Sequence, residues 1–213
     1  FMNTSVLPSR TREKLGGGGN LLRNVSISVI MLIALLLPSR SMAQQTLCNS
    51  CPPDNIGIWP GLPWINHGCV DFPITVQGVT CMWRVCYCYR TSGIVSPNEF
   101  TEVYICSAQT LVPCELELTP TDMITIGGRE LLRQNPAGNL PCPPCPPAQT
   151  NYRVYWTSCK HETTGLFCNS LDALCGEEFK ICCDPLTGAR YTLFTGNVQI
   201  GGTCPTGCKQ ECP

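Results

Sequence analysis

The chain has 213 residues, with 14 Lys and Arg against 15 Asp and Glu, a formal net charge of −1 at pH 7. Only 14% of the residues are charged, and 18 are cysteine, every one of them after Ala43. Beyond Ala43 nine basic residues face fourteen acidic ones with no Lys/Arg cluster, which argues against a nucleic-acid partner or an anionic membrane surface.

The first segment with a clear character is residues 25–37, an uncharged apolar run of thirteen. Arg10, Arg12, Lys14 and Arg23 precede it, Pro38 ends it, and Ser41-Met42-Ala43 follows as a small-x-small site. These are the basic, apolar and cleavage regions of a secretory signal, with cleavage expected after Ala43. The run is shorter than the roughly 20 apolar residues that cross a bilayer, and no second run of that length follows. The expected product is secreted, extracellular or at the cell surface, with no membrane span after cleavage. Phe1 stands before Met2, and a start at Met2 gives an unusually long basic region. The extreme N-terminus therefore reads as translated upstream sequence or as the end of a fragment. Residues 1–43 are set aside as leader.

In the 170 residues that remain, an even number of cysteines at about one in nine reads as a disulfide framework. Small units gain most from such staples, so two are expected: 44–135 and 151–213, with a proline-rich linker at 136–150. The spacing predicts that the two are copies. Cys48-Asn49-Ser50-Cys51-Pro52-Pro53 recurs 94 residues later as Cys142-Pro143-Pro144-Cys145-Pro146-Pro147. Cys81 matches Cys175, and Cys86 and Cys88 match Cys182 and Cys183 with one deletion. Cys114 matches Cys204 and Cys69 matches Cys159, both at 90. Cys106 and Cys168 have no counterpart, and Cys208 and Cys212 lie beyond the repeat, so some bridges must differ between copies.

Along the chain, strand signals dominate. Trp59-Pro60-Gly61-Leu62-Pro63-Trp64 is a loop by its prolines and glycine. Residues 74–79 are a strand candidate. Residues 82–90 alternate, with Trp83, Val85, Tyr87 and Tyr89 on one face and Met82, Arg84, Cys86, Cys88 and Arg90 on the other. Cys86 and Cys88 then point the same way, and each needs a partner on a neighbouring strand. A loop follows, and 100–107 returns to complete a hairpin. Residues 123–126 read as a strand and 129–134 as a short helix. Residues 136–147 hold six prolines and read as the linker. Residues 152–157 form the next strand candidate, and 170–174 a short helix capped by Ser170. Residues 179–183, a turn at 184–188, and strands at 191–194 and 198–200 repeat the hairpin. The predicted fold is mostly β and disulfide-rich, with two small duplicated hairpin or sheet units and little helix.

The chemistry on offer is sparse. The pairs Cys48/Cys51 and Cys142/Cys145 admit three readings. A redox dithiol wants a helix N-terminus to lower the thiol pKa, and the prolines around Cys142 and Cys145 favour an extended path instead. Four thiolates could hold zinc. Disulfides are the third reading, favoured by export. His67 and His161 lie in no metal-binding motif. Glu115 and Glu117 alternate as a glycosidase pair could, but a solvated strand face is the favoured reading. Trp83, Trp156, Tyr87, Tyr89, Tyr104 and Tyr155 fit a core, whereas Trp59 and Trp64, both on a loop, are the candidate binding surface.

The run Val85-Cys86-Tyr87-Cys88-Tyr89-Arg90, with its return strand and closing cysteine, resembles segments of uncharacterised cysteine-rich secreted bacterial proteins. The likeness implies export and cross-linking and carries no function. The expected role is therefore a non-enzymatic binding, adhesive or surface-structural module with no cofactor, whose partner is an extracellular protein or carbohydrate. The alternatives are a zinc or thiol-redox protein using the Cys-x-x-Cys pairs, and a secreted hydrolase.

Overall fold

The alternating segments assemble into a six-stranded sheet with one helix laid across it. The computed structural model describes residues 50–58, 61–92, 100–145, 149–168 and 170–212. The leader, Cys48, Trp59 and the loop after Ser92 lie outside the described residues.

β1 (Ile65–Val76) and β2 (Val79–Thr91) form a hairpin. The expected strand at 74–79 is divided by its turn, where Gln77 and Gly78 both take positive φ, 51° and 82°. That two-residue geometry matches the right-handed twist of the strands it joins. β3 (Phe100–Thr110) pairs antiparallel with β2, and β4 (Thr150–Thr157) pairs parallel with β3. A parallel pair needs a crossover, and α1 (Pro120–Gln134) supplies it. β5 (Cys159–His161) leaves the sheet to pair with β8 (Cys208–Gln210). β6 (Leu174–Cys183) and β7 (Arg190–Ile200) complete the order β1-β2-β3-β4-β6-β7.

α1 corrects the expected strand at 123–126 and the expected helix at 129–134: one helix spans both. Thr119 accepts from the Asp122 backbone N–H while Asp122 accepts from that of Thr119, a reciprocal cap, and Pro120 suits the first turn. Gly127 and Gly128 are the points of closest approach to the sheet rather than a break. A Cβ on either would lie 2.9 Å from Ala108 Cβ or Val154 Cγ1. The expected helix at 170–174 is also absent. Ser170 Oγ donates to Thr203 O, and Leu174 opens β6.

The predicted faces of β2 hold. Trp83, Val85 and Tyr87 are buried beneath α1 with Ile124, Leu131, Leu132, Val103, Val154 and Trp156. On the opposite face Cys88, Tyr104, Tyr155 and Leu174 are covered by Cys51, Ile56 and Trp64 from the segment before β1.

Eight disulfides join described cysteines. Three lie within 51–114: Cys51–Cys88, Cys69–Cys86 and Cys81–Cys114. Five lie within 142–212: Cys142–Cys183, Cys145–Cys182, Cys159–Cys204, Cys168–Cys208 and Cys175–Cys212. Cys106 is disulfide-bonded as well. Cys69–Cys86 bridges neighbouring strands as parity required, but the partner of Cys88 comes from the segment before β1. None of the eight crosses between the two blocks, which are joined through β3–β4 pairing and a shared core. Cross-linking of this density belongs to proteins of oxidising, extracellular environments. No helix among the described residues is long and apolar enough to cross a membrane.

Candidate binding surface

The segment ahead of β1 is held by one buried ion pair. Arg90 on β2 and Glu102 on β3 are 1% and 0% exposed. All three guanidinium nitrogens are partnered. Nε and Nη2 reach Glu102 Oε2, both at 2.7 Å. Nη1 donates to Asp54 O and Leu62 O at 3.0 and 2.9 Å, and Nη2 also donates to Ile56 O. Glu102 Oε1 accepts the Ile58 N–H and the Tyr155 hydroxyl, each at 2.9 Å. Both ions are therefore saturated by the protein, the condition under which a charged pair survives burial. Gly57 sits over the pair with φ +101°, and a Cβ there would come within 2.4 Å of Arg90. Tyr155, beside this carboxylate, has its phenol raised, chiefly by burial.

Trp64, half of the sequence-predicted surface, is partly buried and packs on the same latch. Its ring lies 4.4 Å from the Arg90 guanidinium and packs among the buried residues of that face. Trp59, the other half, lies outside the described residues. Cys51, Cys142 and Cys145 are disulfide-bonded to β2 and β6, so none offers a thiolate to a metal or a redox partner in this form. His67 stacks on Tyr87 with ring centres 4.7 Å apart, and His161 Nδ1 lies 3.0 Å from Thr163 Oγ1. Glu115 and Glu117 are exposed on a segment that is not a strand, between Cys114, Leu116 and Leu118, which pack on the core.

The two edges of the sheet differ. On β1, Pro73 stands opposite Met82. The Met82 carbonyl accepts from Leu111, so Met82 faces β3, and Pro73 faces the open edge. Proline has no N–H to offer there, and its carbonyl is taken by Gln134 Nε2 at 2.9 Å. Such an edge is blunted against further strands. β7 has no such protection. From Tyr191 to Ile200 it carries no charge and no proline. Tyr191, Leu193 and Phe194 are 57%, 61% and 49% exposed, and Leu186, in the turn before them, is 94% exposed.

The orientation of β7 follows from its hydrogen bonds. The Asp184 N–H donates to Ala189 O, while the N–H and carbonyl of Cys183 turn away to Pro143 O and the Cys145 N–H. Cys183–Arg190 is thus a non-bonded pair, and alternation points the main-chain groups of Arg190, Thr192 and Phe194 outward. Beside this edge an open polar hollow of about 500 Å³ is lined by Asn135, Asn139, Leu140, Cys183 and Arg190. Arg190 Nη1 donates to Leu140 O, fixing the start of β7 against the loop that follows α1. Tyr87, whose hydroxyl donates to Asn139 Oδ1 at 2.9 Å, has its pKa pushed up to about 12 by burial.

This edge was not legible in the sequence because Tyr191-Thr192-Leu193-Phe194-Thr195 is apolar on both faces and so does not tell an open strand from a covered one. Its uncharged, proline-free, aromatic and β-branched composition was the available signal. The chain matches no protein-family model, no curated protein and no solved structure.

Proposed function

We propose that this chain is a secreted, non-catalytic module of adhesion or surface structure that binds extracellular protein by strand addition at β7. The observation that carries the reading is the asymmetry of the edges: β1 is closed by Pro73 and Gln134, whereas β7 leaves apolar side chains and outward main-chain groups uncovered. An incoming strand would pair with those groups and cover Tyr191 and Leu193, the known physics of strand addition. The disulfide blocks support the reading, because a cross-linked scaffold presents an edge without ordering cost on binding. Glu102, with both oxygens engaged by Arg90, Ile58 and Tyr155, is spent on structure rather than poised for hydrolysis.

The test is retention of labelled, oxidised protein on the surface of the cells that secrete it. Substituting Tyr191→Lys and Leu193→Lys together should lower retention at least tenfold while the disulfides stay complete. Retention equal to that of the unmodified protein would overturn the reading.

A further inference from the structure

We propose that the strand β7 accepts is β7 of a second copy, in antiparallel pairing about a two-fold axis through Thr192. The inference rests on the binding role of the edge argued above and names its partner.

The register follows from which groups point outward. With Thr192 opposite itself, Arg190 stands opposite Phe194 of the second copy, and Tyr191 opposite its Leu193. The outward residues Arg190, Thr192 and Phe194 then fall at hydrogen-bonded positions, giving six main-chain hydrogen bonds across the axis. Tyr191 and Leu193 fall at the non-bonded positions, where facing side chains approach most closely, so both exposed apolar residues gain a partner. The central pair is Thr192 against Thr192, a favourable cross-strand pair.

Charge points to self-association rather than to a charged foreign strand. Arg190 is the one charged residue of β7, and in this register it meets an aromatic ring and never its own copy. Along 191–200 there is no charge for a basic or acidic peptide to complement. The blunted edge at Pro73 removes the competing head-to-tail arrangement of β7 on β1, which would propagate as a fibre. The remaining solution closes on itself, as a two-fold interface must.

The pairing stretch is short. Thr195 is an extra residue between the pairs Phe194–Phe179 and Gly196–Glu178, and beyond it Gly196, Val198 and Ile200 are partly covered. An interface of this length falls under about 1,200 Å² of buried surface, the range of weak association. A concentration-dependent equilibrium is therefore expected rather than a permanent dimer.

The experiment is sedimentation velocity on the full chain produced by export into an oxidising compartment, from about 1 μM to about 1 mM, the span over which weak association titrates. The protein should shift from one chain to two, and Thr192→Pro, which removes an outward N–H, should abolish the shift. Thr192→Lys and Thr192→Glu each place like charges on the axis. Each alone should stay single, and an equimolar mixture of the two should pair. Disulfide counting and amide exchange of β2 confirm that each variant is folded. A wild-type chain that stays single at the highest concentration, or variants that pair as wild type does, would overturn the proposal. Edge-dependent retention on cells, with a single-chain protein in solution, would reject self-pairing and leave the binding role of the edge standing.

Discussion

Removing one partner of the Arg90–Glu102 pair tests whether this saturated ion pair holds the segment before β1. Glu102→Gln keeps the shape of the side chain but leaves a guanidinium that is 1% exposed without its counter-charge. Breaking one side of a buried pair typically costs about 3–5 kcal/mol. Arg90→Met should cost a similar amount and additionally orphans the carbonyls of Asp54, Ile56 and Leu62. The double variant Arg90→Met/Glu102→Leu removes both charges, so its cost should fall well short of the sum of the singles, with a coupling of about 2–3 kcal/mol. Guanidinium unfolding without reductant measures the three costs. Amide exchange at Ile58, whose N–H donates to Glu102, tells where the loss appears. Cys51–Cys88 tethers the segment, so it should open locally before the sheet does. Single variants within 1 kcal/mol of wild type, or costs additive to within about 0.5 kcal/mol, would refute the latch.

Non-reducing peptide mapping should recover the eight pairs described and no Cys142–Cys145 pair. It should also find Cys106 with Cys48, the one cysteine those pairs leave. Reductant should unfold the chain and chelator should not, with no stoichiometric zinc in the purified protein; four thiols released by chelation would restore the zinc reading. Stability should fall at both ends of the pH scale. The carboxyls of Asp71, hydrogen-bonded by Arg84, and Asp184, capped by the Leu186 and Thr187 backbone N–H groups, are held below their ordinary range. Their contribution is full above about pH 4 and is lost as pH falls further. Burial raises the phenols of Tyr87, to about 12, and of Tyr104 and Tyr155. Their contribution is full below about pH 10 and is lost as pH climbs toward 12, so the guanidinium midpoint should drop across that window. A midpoint flat from pH 9 to pH 12 would contradict their burial.

The strand content and the faces of β2 were legible because alternation is a local signal: Trp83, Val85 and Tyr87 could face only one way. The helix was not legible, because residues 123–126 are rich in β-branched side chains and Gly127-Gly128 resembles a stop. Only the reciprocal Thr119–Asp122 cap marks its start, and only the close approach to Ala108 and Val154 explains the glycines. Cysteine partners are set by tertiary distance, so spacing did not reveal the Cys51–Cys88 bond. Trp64 of the predicted Trp59–Trp64 surface has a structural contact that was not legible for a related reason. A loop tryptophan looks available until a buried cation such as Arg90 is found stacked upon it.

The cysteine spacing that predicts an internal repeat bears on why β7 is open. We propose that the meanders β1-β2-β3 and β4-β6-β7 are the two copies. What supports this is their shared antiparallel order and the correspondence of β2 with β6 and β3 with β7; what complicates it is that none of the three bridges within 51–114 recurs at its mapped partner, since Cys175 bonds Cys212 and not Cys204, Cys159 bonds Cys204 and not Cys182, and Cys145 bonds Cys182 and not Cys183. Under that correspondence the first residues of β3 and of β7 are equivalent. In the first copy Phe100 to Tyr104 pair in parallel with Asn151 to Tyr155 of β4. In the second copy the equivalent stretch, Arg190 to Phe194, pairs with β6 and has no second neighbouring strand among the described residues. A strand shaped to be paired on both sides keeps its apolar composition when one neighbour is missing, and that accounts for Tyr191, Leu193 and Phe194 in the open. Pro73 blocks a third meander from adding through β1. The same history that leaves β7 wanting a strand therefore also denies it the one it would inherit, which is the reason to look for its partner across a two-fold axis.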